Sequence, residues 1–476
     1  MRSTSDRRQW LANASCGFGS LAATAMLGRN ATAGEGPHHG GSHRGLPVTH
    51  HQPRAKRIIF LFMQGGVSQV DSFDYKPALK KRNGEELVFN DARQLAKTGK
   101  KTNQKLMQSP WEFRPYGETG KLVSDLFPNV GEHVDDFCFL HAMHTEGVAH
   151  GPATRFLHCG STNFVRPSFG SWVTYGLGTE NEDLPGFVTI APSIGNGGPL
   201  NYGPAFLPPE FQGTRIGNPG DSPLEIESLT SVHPRAVQQK RMELLRELNQ
   251  AQLTRRTADQ PELNAAIQSM ELAWRMQQIG PSLLDITRES KQTLSRYGMD
   301  DPKTKSYGEK CLLARRLCEA GVRFIQVNYG DNSANPAWDQ HSNLPKHEQH
   351  ARAVDKPIAA LMADLKERGL LEDTIVWWGG EFGRTPYAQD NGTGRDHNPG
   401  GFTVWLAGGG IKAGYSHGET DEFGFQGVQG KVHLHDLHAT LLHQLGLDHE
   451  RLTYRHAGRD FRLTDVYGRV IHDVLA

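Results

Sequence analysis

Ile58 to Met63 form an unbroken run of six apolar residues, IIFLFM, followed by Gln64 and the pair Gly65–Gly66. A run of strand length, rich in β-branched and aromatic residues and closed by glycines, reads as a strand buried on both faces. Strands of that kind belong to parallel sheets with helices on either side. Similar segments recur as DDFCFLHAMH, LPGFVTIAP, VRFIQVNYG, TIVWWGG and FTVWLAGGG. Between several of them lie helical patterns, among them YGEKCLLARRLCEAG, DKPIAALMADLKERGLL and DLHATLLHQLGL. The alternation predicts an α/β fold, a mostly parallel sheet sandwiched by helices. Right-handed crossovers then gather the functional loops at the carboxyl ends of the strands.

Residues 57–476 are assigned to this one large domain. Within it, about 201–300 departs from the pattern: Pro- and Gly-rich loops lead into a long polar stretch with Leu244, Leu245, Leu248 and Leu253 at helical spacing. This reads as a helical insertion, covering the core or the site. Residues 34–56 are rich in Gly, Pro and His without periodicity, the pattern of a disordered linker. Ahead of it, residues 1–33 carry Arg7–Arg8, then Trp10–Leu11, a mildly apolar stretch and an Ala-Thr-Ala sequence at Ala31–Ala33. Those features predict a twin-arginine signal peptide, hence the export machinery as a partner and a periplasmic or secreted location. No stretch approaches the roughly 20 apolar residues of a membrane span, so an integral membrane protein is not expected. Lys plus Arg and Asp plus Glu balance at 52 each, without the basic excess of a nucleic-acid binder. Cys138, Cys159, Cys311 and Cys318 form no CxxC motif and are expected in the core.

Metal-capable side chains collect after three of the predicted strands. The first loop has Gln64, Ser68, Asp71 and Asp74, the second Asp339, His341 and His347, the third Glu381, Asp396 and His397. A mixed histidine and carboxylate set suits zinc, manganese or iron, whereas an all-oxygen set suits calcium or magnesium. The 380–398 loop reads as one wall of a cleft, or else as a long Gly-rich surface loop. Arg384 and Arg395 fit either as clamps on a sulfate, phosphate or carboxylate, or as salt-bridge partners of Asp71 or Asp74. Ser68 is either an exposed hydroxyl nucleophile or a turn and helix cap.

The segments MQGGVSQVDSFDYKP, GEFGRTP, GRDHNPGG, AGGGIKAGYSHGETDEFG and HDLHATLLHQLG together resemble the exported bacterial family called the domain of unknown function numbered 1501. The resemblance runs from about residue 56 to the C-terminus. That family is grouped with the alkaline phosphatase and sulfatase superfamily, and FPNVGEHVDDFCFLHAMHTEGVAHGPATRFLHCG follows the order of the sulfatase pattern. The resemblance implies an alkaline phosphatase/sulfatase-like fold and a divalent metal centre holding zinc, manganese or calcium. Asp339, His341 and His397 match one metal site, with Glu381 near. At the other, Gln64 stands for the first-strand Asp, His150 falls on the nucleophile position, and Glu381–Phe382 replace the Asp-His pair. The implied activity is hydrolysis of an anionic ester, a sulfate or phosphate on a glycan. His150 or Glu381 would serve as general base, with Ser68 or Thr154 as substitute nucleophile. The alternative is a non-catalytic binding or assembly protein of the cell envelope.

Overall fold

The computed structural model describes residues 49–89, 103–221, 224, 234–255, 261–333, 335–389 and 392–476. The expected signal peptide and the linker up to residue 48 lie outside the described residues.

The main sheet is built from β1 (Arg57–Met63), β2 (Phe137–His144), β3 (Phe187–Ile190), β4 (Thr214–Ile216), β5 (Phe324–Tyr329) and β6 (Thr374–Gly379). After a separate two-stranded ribbon, β7 (Gly383–Ala388) and β8 (Arg395–Asn398), it is completed by β9 (Phe402–Ala407), β10 (Tyr415–His417) and β11 (Val432–His433). The spatial order is β10-β2-β9-β6-β1-β5-β3-β4, with β11 also alongside β2. Every pairing is parallel except those of β9, which runs antiparallel between β6 and β2. The helices are α1 (His150–Cys159), α2 (Phe169–Leu177), α3 (Arg235–Arg255), α4 (Pro261–Leu284), α5 (Pro302–Glu319), α6 (Lys346–Glu367) and α7 (Leu434–Gln444).

The apolar run of β1 alternates between two cores. Ile59, Leu61 and Met63 face Leu312 and Leu313 of α5 and Ile358 and Leu361 of α6. Ile58, Phe60 and Phe62 face Phe156 of α1, Trp172 of α2 and Leu441 of α7. Because a strand sends successive side chains to opposite faces, a strand packed on both sides has no polar position to spare. Each fully buried large side chain contributes about 1.5–3 kcal/mol relative to exposure. The four cysteines among the described residues are free and buried. No helix among the described residues is long and apolar enough to cross a membrane.

Two sequence expectations need correction. Residues 49–56 are bound to the domain: the His50 amide donates to the Gly446 carbonyl, the Arg54 amide to Gln444, and Ala55 is buried. Their composition signals a linker, yet backbone hydrogen bonds need no particular side chain. The 380–398 segment is no irregular loop but the β7–β8 hairpin. The 201–300 insertion holds α3 and α4, and α4 packs along α5 and the Pro209–Phe211 turn with Ile279, Leu283 and Leu284 against the core.

Candidate metal centre

β1, β2, β5 and β6 end at the same edge of the sheet because they are parallel, and β9 begins there because it is antiparallel. Each of these ends delivers one part of the site. β1 runs into Gln64–Gly66, β2 into the loop that starts α1 at His150, β5 into the loop with Asp339 and His341, β6 into Glu381. The β7–β8 hairpin returns His397 just before β9.

Asp339 Oδ1 is the hub. It lies 2.8 Å from His341 Nε2, 3.0 Å from His150 Nε2, 3.3 Å from His397 Nε2 and 2.7 Å from Arg384 Nη2. One ligand atom from each of His150, Asp339, His341 and His397 falls within 4.8 Å of the others. Asp339, His150 and His397 are buried, and His341, with 21% of its side chain exposed, marks the open side.

Hydrogen bonding decides which imidazole atoms face inward. His397 Nδ1 donates to the Val148 carbonyl at 2.9 Å, and His150 Nδ1 to Glu381 Oε1 at 2.7 Å. His341 Nδ1 is bonded to Gln389 Oε1. All three partners are acceptors, so each Nδ1 is the donor on that side and each ring turns its Nε2 toward the cluster. The Nε2 atoms of His341 and His397 are only 2.9 Å apart, and His150 Nε2 stands 3.0 Å from Asp339 Oδ1. Three imidazole nitrogens and a carboxylate oxygen thus converge on one point, a donor set that a metal ion can occupy.

The electrostatics agree. Burial pushes His397 down to about 3, so this ring stays neutral near pH 7. Burial also pulls His150 down, but Asp339 and Glu381 together outweigh it and raise this ring above ordinary imidazole. Burial works against the Asp339 carboxylate too; the three histidines and Arg384 overcome it and hold the acid far below its usual range. The pocket therefore favours positive charge at its centre. The donor set, three imidazoles and a carboxylate, fits a zinc- or manganese-type ion, and each ring is oriented from behind as metal ligands are.

The predicted residues divide into three groups. Asp339, His341 and His397 come together as expected. Glu381 does not offer an oxygen to the cluster: it is fully buried, accepts from the Gly65 amide at 2.9 and 3.1 Å, and orients His150. His150 takes its place among the candidate ligands, a role without a sequence signal, since HGPATR has no ligand spacing. Arg384 and Arg395 are both turned to protein oxygens. Arg384 donates to the carbonyls of Gly65, Gly66 and Arg395 and to Asp339. Arg395 grips both oxygens of Asp71, at 2.6 and 3.0 Å, and is wholly buried. Ser68 is buried, donates to Asp71 at 2.5 Å and precedes a short helical turn. Gly65 and Gly66 have φ of 110° and 73°, and a Cβ on Gly65 would meet Asp339 N at 2.7 Å. Only glycine lets β1 turn this close beneath the Asp339 loop.

No curated protein matches the sequence. Similar solved structures include a sulfatase from Pseudoalteromonas sp., PsFucS1, at 13% identity and a TM-score of 0.34, covering 83% of this chain and 68% of that one. The lipoteichoic acid synthase LtaP from Listeria monocytogenes is 9% identical with a TM-score of 0.34, covering 86% and 74%. The alkaline phosphatase from the Antarctic bacterium TAB5 is 10% identical with a TM-score of 0.33, covering 82% and 98%. The family described as "Protein of unknown function (DUF1501)" matches residues 55–475. Matched over nearly all of the domain that carries the His150–Asp339–His341–His397 cluster, the chain belongs to the DUF1501 family.

Proposed function

We propose that the protein is a metal-dependent hydrolase of an anionic ester, a sulfate or phosphate carried on a glycan, exported by the twin-arginine route to the periplasm or beyond. One observation carries the reading: three imidazole Nε2 atoms and an Asp339 oxygen converge within 4.8 Å of one another. A divalent ion held by His150, Asp339, His341 and His397 supplies Lewis-acid polarisation of an ester oxygen and acidifies water. Asp339 supplies the negative charge, and Arg384 pins it from behind. Glu381 is a positioning residue that acts through His150. The cluster is made of imidazoles and a carboxylate, and water is the nucleophile in this reading. Asp396 Oδ1 lies 3.6 Å from His341 Nδ1, behind the ring, beside the Gln389 oxygen that also holds it. Four buried free thiols suit a chain that folds before it crosses the membrane.

A second reading, a binding or assembly protein of the cell envelope, draws on one observation. Both guanidinium groups near the cluster are directed at protein oxygens, which leaves neither to grip a substrate anion. Elemental analysis of the purified protein, with assays on aryl sulfate and aryl phosphate in added zinc, manganese or calcium, separates the readings. The hydrolase reading expects one metal equivalent and turnover, both lost in His397→Ala. Metal without turnover, together with glycan binding, supports the second. Protein that takes up no metal overturns the centre itself.

A further inference from the structure

A cavity of about 800 Å³ opens between α5 and α6 at the carboxyl end of β5. The loop that carries Asp339 forms one wall through Ala337, and Tyr307, Tyr329 and Pro345 supply apolar surface. Four cationic side chains line it: Lys303, Lys310, Lys346 and Arg352. Against them stand two carboxylates, Asp331 and Glu348. Asp331 is occupied by the amides of Ser333 and Ala337. Arg352 reaches Asp301 at 3.3 Å. His350, tied to the Tyr329 hydroxyl at 2.9 Å, is kept neutral by burial.

Lys310 is the unusual member. Only 4% of it is exposed, and its ammonium makes a single 3.3 Å hydrogen bond, to the Asn328 carbonyl. No carboxylate lies within ion-pair distance of it among the described residues. A buried ammonium with one donor used out of three is costly unless an anion joins it. An apolar core position would hold Leu or Met at no such cost, so the amine is retained for something the cavity admits.

We propose that this cavity is a binding site for a small organic anion, with a sulfate, phosphate or carboxylate group seated on Lys310, the body against Tyr307 and Tyr329, and Lys303 and Lys346 at the rim. Burial pushes the Lys310 amine down to about 8, close enough to neutrality that an arriving anion restores its full charge. The site is separate from the metal cluster and does not rest on its chemistry.

Calorimetric titration of the full protein with inorganic phosphate, inorganic sulfate, gluconate, glucose 6-phosphate and glucose tests this. The expected result is millimolar or tighter binding of at least one anion, none of glucose, and a tenfold or greater loss in Lys310→Met. Lys346→Gln, at the rim where folding is not at stake, should weaken binding about threefold. The preferred anion identifies the head group. Binding that is unchanged in both lysine variants, binding that vanishes in His397→Ala instead, or no binding of any anion overturns the proposal.

Discussion

At the scale of single residues, the site is governed by what stands behind each ligand atom. Glu381 accepts from the Gly65 amide and from His150, and so fixes a ring that no sequence motif marks as a candidate ligand. Glu381→Gln keeps the shape and removes the charge. Metal affinity should fall roughly 10–100-fold with the fold intact, measured by competition with a chromophoric chelator. An unchanged affinity would mean that His150 stands outside the coordination sphere. The candidate ligands were partly legible in the chain: Asp339, His341 and His397 lie after apolar runs, where strand ends place chemistry. His150 was legible only as a residue at a nucleophile-like position, because ligand geometry across separate loops leaves no trace in local spacing.

At the scale of elements, the β7–β8 hairpin explains why a strand pair read as loop. Hydrophobic alternation identifies a strand when the buried face is apolar. Here Arg384 and Arg395 are themselves buried, and Arg384 pairs with His397 in register. Gln69 binds both backbone groups of Arg384, at 2.8 Å each, and so docks the hairpin on the β1 turn. The Asp71–Arg395 pair is the second clasp. Removing one partner strands a buried charge, so Arg395→Ala should cost about 3–5 kcal/mol in guanidinium unfolding. The paired change Asp71→Leu with Arg395→Met should recover most of that loss. If the single variant is as stable as the parent, the hairpin is held by other contacts.

At the scale of the whole molecule, buried histidines outside the cluster set the response to acid. Burial pushes His158 and His435 down to about 4 and His438 to about 3, against 6.5 for the free ring. Below 6.5 the unfolded chain takes up these protons and the folded one does not. Stability is therefore complete above that pH and is lost as pH falls toward 4, by up to about 1.4 kcal/mol per pH unit for each such ring. Chelator-treated protein should show a lower denaturant midpoint near pH 5 than near pH 7.5; a flat profile would mean that these rings protonate while folded. The sequence by itself determined the layered α/β architecture, because unbroken apolar runs and helical repeats are local consequences of burial on two faces. It also determined that chemistry would stand at the strand ends. Only the tertiary structure decided that β9 runs antiparallel, that His150 faces Asp339, that Glu381 stands behind, and that both arginines are turned inward. Those facts depend on which strand ends become neighbours, and that is settled by long-range packing rather than by any spacing along the chain.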